Sequence, residues 1–318
     1  MKHIESPKVS VIIPTHNYAE YLPDCLDSLL AQTMQDFEII IIDDASTDNT
    51  QEIIDRYSKI FGQKLISLKP EKKVGRGGIR NYGLNLAKGE HITFLDADDA
   101  YCPEKIEVQS RYLDEHVDVG GVSCRFYTTN QFLKEPKVGT SQGGRLDLLF
   151  GSDYTIFEES IVSLMIRKSI MNQVGLFDEK IIRGQDSDLI IRILRICKIG
   201  FINTPLFFYR QHDTNLFSLQ GLRERTQSNV IFFKKLLDAE DSSRKKLARQ
   251  FAFTRLSSQI YALREQSYFP AIMAWFLYLY EFNINLPLSK WAIIGIKTVV
   301  GYPVTQFVKR KISLLSAA

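Results

Sequence analysis

Cysteine is scarce in this chain, and its placement limits the reading further. The four cysteines among 318 residues are Cys25, Cys102, Cys124 and Cys197; none forms a C-x-x-C pair, and none stands at zinc-like spacing from a histidine. That argues against a disulfide scaffold or a zinc ribbon and for reduced, mostly buried thiols. Long apolar runs are also missing. The uncharged stretch Gln266 to Tyr280 has 15 residues, short of the roughly 20 that span a bilayer. Leu286 to Val308 is interrupted by Lys290 and Lys297 and followed by Lys309-Arg310-Lys311. No apolar h-region follows Met1, so no signal peptide is expected, and the activity is expected in the cytoplasm or at the cytoplasmic face of its membrane. Internal repeats, low-complexity tracts and nucleic-acid-binding modules are absent, which leaves nucleic acid out of the expected partners.

What is present is an ordinary globular composition, with 45% hydrophobic and 24% charged residues, enough for a normal core. The net charge of +3 hides an asymmetry. Residues 1–219 carry 25 Lys and Arg against 31 Asp and Glu, a balance of −6, whereas residues 220–318 carry 15 against 6, a balance of +9. Glycine is missing between Gly221 and Gly295, and the pattern there turns helical. Two regions are therefore expected: a catalytic domain over 1–218 and a helical region over 219–318. The aromatics and basic residues of the second suit either peripheral contact with anionic lipid or an oligomer interface, and a plain helical subdomain fits equally well.

Within the first region the pattern reads as strand, helix, strand, helix, strand, helix, strand. Val9 to Ile13, Phe37 to Ile42, Leu65 to Leu68 and His91 to Leu95 are short β-branched or apolar runs, and helical spacing lies over Glu20 to Gln32, up to about Lys59, and over Ile79 to Lys88. This order predicts an α/β fold with a mostly parallel central sheet. Ligands of such sheets bind beyond the carboxyl ends of the strands. Pro14-Thr15-His16-Asn17, Asp43-Asp44 and Asp96-Ala97-Asp98-Asp99 all fall at such ends, so three polar clusters converge on one crevice. Further on, Gly120 to Gln185 reads as less regular, with a strand at Ile161 to Ile166 and a helix from Arg167 to Val174. Asp186 to Cys197 reads as a helix, and Ile199 to Tyr209 as two strands around Pro205.

Three carboxylates on one turn suit a hard divalent cation, Mn2+ or Mg2+, shared with a diphosphate; the plain alternative is a solvated acidic turn. Asp43-Asp44 can accept from a nucleobase imide or from ribose hydroxyls, or cap a helix. Gly75-Arg76-Gly77-Gly78-Ile79-Arg80 matches neither G-x-G-x-x-G nor a P-loop, yet Arg80 suits a phosphate. Asp186 opens a helix, as a cap or as a general base. His212 follows a strand, as a structural histidine or a metal ligand.

Taken in order, VSVIIPTHN (9–17), IIIDDASTD (40–48), RNYGLNLAKGEHITFLDADD (80–99), VGLFD (174–178), GQDSDL (184–189) and YRQH (209–212) resemble the inverting family 2 glycosyltransferases of the GT-A fold, over about two thirds of the chain. The resemblance implies a nucleotide-sugar donor, most often a UDP-sugar, and a glycan or lipid-linked acceptor, with bacterial surface polysaccharide synthesis the natural setting. It places Pro14, Thr15 and Asn17 along the nucleotide pocket, Asp44 at the base, Arg80 at the nucleotide or its phosphates, and Asp96 near the ribose and the metal shell. It makes Asp98 a metal ligand, Asp186 the catalytic base, and His212 a metal or phosphate contact. The family usually has Glu-Asp where this chain has Gln185-Asp186; the base is kept, while a catalytically impaired nucleotide-sugar-binding regulator is the alternative. A sugar nucleotidyltransferase would need a glycine-rich, arginine-containing loop after the first strand, where this chain has Pro14-Thr15-His16-Asn17-Tyr18.

Overall fold

The computed structural model describes residues 6–138, 160–182 and 184–212, with residues 228, 231 and 235 beyond them. The chain divides into two units, Met1–Phe217 and Ser218–Ala318, and the description concerns the first. The helices expected over 219–318 and the loop expected at Gly139 to Gly144 lie outside the described residues.

In chain order the elements are β1 (Val9–Thr15), α1 (Leu22–Leu30), β2 (Phe37–Asp43), α2 (Thr50–Phe61), β3 (Leu65–Leu68), α3 (Gly75–Leu86), β4 (His91–Phe94), β5 (Ala100–Tyr101) and α4 (Lys105–Glu115). They continue with β6 (Val119–Thr129), β7 (Lys137–Val138), β8 (Met165–Arg167), α5 (Lys168–Val174), α6 (Gln185–Ile196) and β9 (Lys198–Arg210). Among the described residues the strands form one sheet in the order β3-β2-β1-β4-β8-β6-β9-β5, with β7 paired to β6. The half from β3 to β4 is parallel. Beyond β4 the sheet is mixed, with β8 antiparallel to both β4 and β6, and β9 parallel to β6.

Every residue of β1 and of β2 is buried, as expected of parallel strands covered on both faces. Leu22, Cys25, Leu26 and Leu29 form the buried stripe of α1, the i, i+3, i+4, i+7 pattern of an amphipathic helix. Asp48, just ahead of α2, accepts from the Thr50 amide at 3.1 Å and the Thr50 hydroxyl at 2.6 Å. Cys25, Cys102 and Cys124 are buried and Cys197 is half-buried.

The strand expected at Ile161 to Ile166 is a 3-10 turn over Ile161–Ser163 followed by the short β8, and three further elements differ from the sequence reading. Helix α3 begins at Gly75, four residues before the expected start, so the glycine-rich run is its first turn and not a loop. The glycines let the helix sit close to its neighbours. A Cβ on Gly83 would come 2.4 Å from Ile12 Cγ2 in β1. Gly83→Ala should therefore push α3 off the sheet and cost about 1–3 kcal/mol, as overpacking does; urea denaturation reads this directly, and an unchanged midpoint would show that the interface yields freely. The second difference is β6, an 11-residue strand where the sequence from Gly120 on reads as less regular; Gly120 and Gly121 interrupt its β pattern. They are there because a Cβ on Gly120 would lie 2.2 Å from Cys197 Sγ. The third is β9, one 13-residue strand and not two. Pro205 is accommodated where the β6 register shifts, between Cys124↔Ile202 and Arg125↔Pro205, because a bulge spares the ladder the N–H that proline lacks.

Candidate active site

Strand β1 has β2 on one side and β4 on the other, so the order of the sheet reverses there. Loops leaving the carboxyl ends of these strands diverge and open a crevice. Two residues on its rim hold left-handed backbones, Asn17 at φ 56° and Ala45 at φ 60°; such conformations persist only when neighbours enforce them. For Asn17 the neighbours are clear. Its N–H donates to Ser46 Oγ at 2.9 Å, and its Oδ1 accepts from the Thr47 N–H at 2.8 Å. Asn17 thus stitches the loop after β1 to the loop after β2. Pro14 pairs in register with Ile42, and Thr15 is buried with no hydrogen-bond partner for its Oγ1 among the described residues.

Asp44 is buried at the same end. Its two carboxylate oxygens accept from the Val74 N–H at 2.7 Å and the Gly75 N–H at 3.0 Å, so it fixes the start of α3. Each oxygen keeps a second lone pair for a ligand. Its neighbour Asp43 accepts from the Ser46 amide and hydroxyl and pairs with Lys69 at 3.1 Å.

The acidic turn after β4 is closed by the Asp99 N–H donating to the Asp96 carbonyl at 3.0 Å. Carboxylate oxygens of Asp96, Asp98 and Asp99 lie within 4.8 Å of one another, yet each faces a different partner. Asp96 accepts from Arg80 Nη2 at 2.6 Å. Asp98 Oδ2 lies 3.0 Å from His212 Nε2. Asp99 is buried and accepts from the Arg210 backbone N–H at 3.0 Å. Burial, then the charge of Asp96, raise the Asp98 carboxyl above its ordinary value, against the opposing bond from His212. Burial, then Asp98 and Asp96, push Asp99 up further. Crowded, desolvated carboxylates of this kind fit a divalent cation, whose charge relieves their repulsion. Asp98 with His212 is the best placed pair, Asp96 stands beside it, and Asp99 is committed to Arg210.

Arg210 was not singled out by sequence. Its guanidinium is buried, with Nε donating to the Asp98 carbonyl at 2.6 Å, Nη1 to the Gln131 carbonyl, and Nη2 to Asp24 at 2.8 Å. It lies 4.8 Å from the centre of the Tyr21 ring. Tyr21 in turn packs on His212, with ring centres 4.8 Å apart, and Tyr18 meets the same imidazole edge-on at 6.2 Å. A buried charge needs this many partners to be tolerated. In sequence the only sign of it is an Arg two residues before His212 at the end of a strand.

Asp186 lies in the first turn of α6, after Gly184 in a left-handed conformation at φ 79°. Its Oδ1 is buried and has no hydrogen-bond partner among the described residues. Burial raises its carboxyl, opposed by the charge of Arg80 and reinforced by that of Asp96. The Arg80–Asp96 pair and Asp186 thus lie close enough to influence one another. Arg80 is itself buried, and its Nε also lacks a described partner.

The mixed α/β sheet, with an acidic turn at its switch point and the half-buried Asp186 beyond it, is a fold of the GT-A type. The family model described as glycosyl transferase family 2 matches residues 10–175, and the chain belongs to that family and is a glycosyltransferase. It is 32% identical over 250 residues to an uncharacterized glycosyltransferase of Rickettsia typhi, covering 74% of each chain. In fold it is similar to S. aureus TarS 1-349 in complex with UDP-GlcNAc, with a TM-score of 0.59 at 21% identity, covering 77% of this chain and 70% of that one. It is also similar to the mannosyltransferase PcManGT from Pyrobaculum calidifontis in complex with GDP-Man and Mn2+, with a TM-score of 0.58 at 17% identity, covering 99% of this chain and 86% of that one. Among the described residues no helix is long and apolar enough to cross a membrane.

Proposed function

We propose that the chain is an inverting, metal-dependent transferase that moves a sugar from a nucleotide-sugar donor, with UDP the expected nucleotide, to a hydroxyl of a glycan or lipid-linked acceptor. Bacterial surface polysaccharide synthesis is the setting we propose for it. The observation that carries the reading is the carboxylate of Asp186, half-buried, without a partner for Oδ1 among the described residues, and within electrostatic reach of the Arg80–Asp96 pair. A structural cap would have its oxygens satisfied; a base waits for its substrate.

In this reading the nucleotide lies against Pro14, Thr15 and Asn17, with Asp44 at its base. Arg80 and Asp96 border the diphosphate and ribose. Asp98 and His212 hold the cation, which when bound neutralises the charge that develops on the departing diphosphate. Asp186 takes the proton of the acceptor hydroxyl as that oxygen attacks the anomeric carbon. The bond from that carbon to the diphosphate breaks, the nucleoside diphosphate leaves with the electron pair, and the configuration inverts. Tyr18 and Tyr21 support the His212 ring and keep it in one orientation. The far edge of the acidic turn, Asp99, is tied off by the Arg210 backbone N–H.

Nucleoside diphosphate release, measured over a panel of UDP- and GDP-sugars with and without sugar acceptors, tests this. Turnover is expected with a UDP-sugar, rising with Mn2+ or Mg2+ and lost in EDTA. Undiminished turnover after chelation would remove the metal from the proposal, and failure to bind any nucleotide sugar would remove the donor. Residues 219–318 we propose as a peripheral contact with anionic lipid or with a second copy. Flotation with anionic liposomes at low salt separates the two, since only the lipid contact carries the protein upward.

A further inference from the structure

A second group of potential metal ligands lies at the other end of β4, five residues or about 17 Å along an extended strand from the acidic turn. His91 opens that strand, Glu90 immediately precedes it, and Asp114 stands near the end of α4. One ligand atom from each lies within 4.8 Å of the others. His91 is fully buried, and its Nε2 makes no hydrogen bond among the described residues while lying 3.7 Å from Glu90 Oε1. Its Nδ1 faces Ser110 Oγ at 3.5 Å. The Lys8 ammonium bridges the carboxylates, 2.9 Å from Glu90 and 2.7 Å from Asp114.

An ion pair of Lys8 with two surface acids needs no imidazole. Here a buried ring nitrogen is aimed at the pair and left without a partner, an arrangement that costs stability unless something completes it. Burial drives the His91 imidazole down to about 4, against the opposing charge of Glu90, so the ring is neutral and its lone pair is available at ordinary pH. One imidazole with two carboxylates suits borderline divalent ions such as Zn2+, Co2+ and Ni2+ better than Mg2+, which prefers oxygen alone.

We propose that Glu90, His91 and Asp114 form a second divalent-metal site, selective for transition ions such as Zn2+, in which the Lys8 ammonium is the built-in competitor. Nothing in sugar transfer requires it. Its effect is to clamp the start of β4 to the end of α4, and binding confined to the folded state raises stability by mass action.

Calorimetric titration of the full chain with Zn2+ in excess Mg2+, followed by thermal melting, tests the site. In an Asp98→Ala background, which removes the cation site proposed at the acidic turn, one equivalent of Zn2+ and a rise in Tm are expected, with Co2+ giving a visible absorption band. Lys8→Met and Asp114→Asn alter exposed or half-exposed groups and leave the core intact. Lys8→Met should tighten Zn2+ binding about tenfold by removing the competitor, and Asp114→Asn should weaken it by at least about tenfold, the scale of a lost ligand contact. His91→Phe should abolish the band. Opposite shifts in the first two variants support the site. No Zn2+ binding, or binding that neither variant moves, overturns it.

Discussion

Asp186→Asn is expected to lower kcat roughly a thousandfold, inside the range that loss of a general base produces, while donor binding is retained. The substitution keeps the shape of the side chain and removes its ability to take a proton. The structure adds two signatures that a merely structural role would not show. First, the Asp186 carboxyl is raised above 3.8 by burial, with Arg80 opposing. A base must be ionised, so kcat/KM should climb with pH through that raised value, and this acid limb should be absent from the variant. Second, a carboxyl whose folded pKa is raised binds its proton more tightly in the native state than in the unfolded chain. Stability from this group is present at low pH and is lost as pH rises through the raised value. At neutral pH the ionised Asp186 therefore works against folding, and the Asn variant should melt no lower than the parent. Full transfer by Asp186→Asn would end the assignment.

Asp98→Ala should also lose most transfer, by about a hundred- to a thousandfold, the scale of removing one charge-stabilising group. Its diagnosis is different: the loss should come with a lost response to added Mn2+ or Mg2+ in a metal titration. The fold should survive, because the contact that secures the turn runs from Arg210 Nε to the carbonyl of residue 98, which alanine retains. The variant also removes one of the charges that raise Asp99. Wild-type metal dependence in Asp98→Ala would transfer the ligand role to another member of the turn.

The parallel half of the sheet was legible because its strands carry their information locally. Runs such as Val9 to Ile13 and Phe37 to Ile42 are dominated by valine and isoleucine and are buried on both faces, and Leu65 to Leu68 matches its strand residue for residue. The mixed half was not. Gly120 and Gly121 break the β pattern for the sake of Cys197 and β8, and Pro205 suggests a break where the ladder merely slips. Site residues followed the same rule. The strand ends bearing Asp44 and Asp96 to Asp99 were visible because an acid after a buried run stands out. The pairing of Asp44 with the Val74 and Gly75 amides was not visible. Nor was Arg210, whose partners lie 79 to 186 residues earlier in the chain and have no local trace.

Those long separations bear on when the protein becomes competent. Asp99 meets Arg210 across 111 residues, and Asp98 meets His212 across 114. As the chain leaves the ribosome from its amino end, the first four strands and the acidic turn emerge well before β9. Until residues 210 to 212 are out, Asp96 has its partner Arg80, but Asp98 and Asp99 lack the groups that hold them. Contacts this far apart in sequence also close slowly. A nascent chain halted before β9 would thus carry the acidic turn without the Arg210 and His212 contacts, and on the proposed reading a nonsense mutation ahead of Arg210 would leave the cation site incomplete even where the donor half of the sheet had folded.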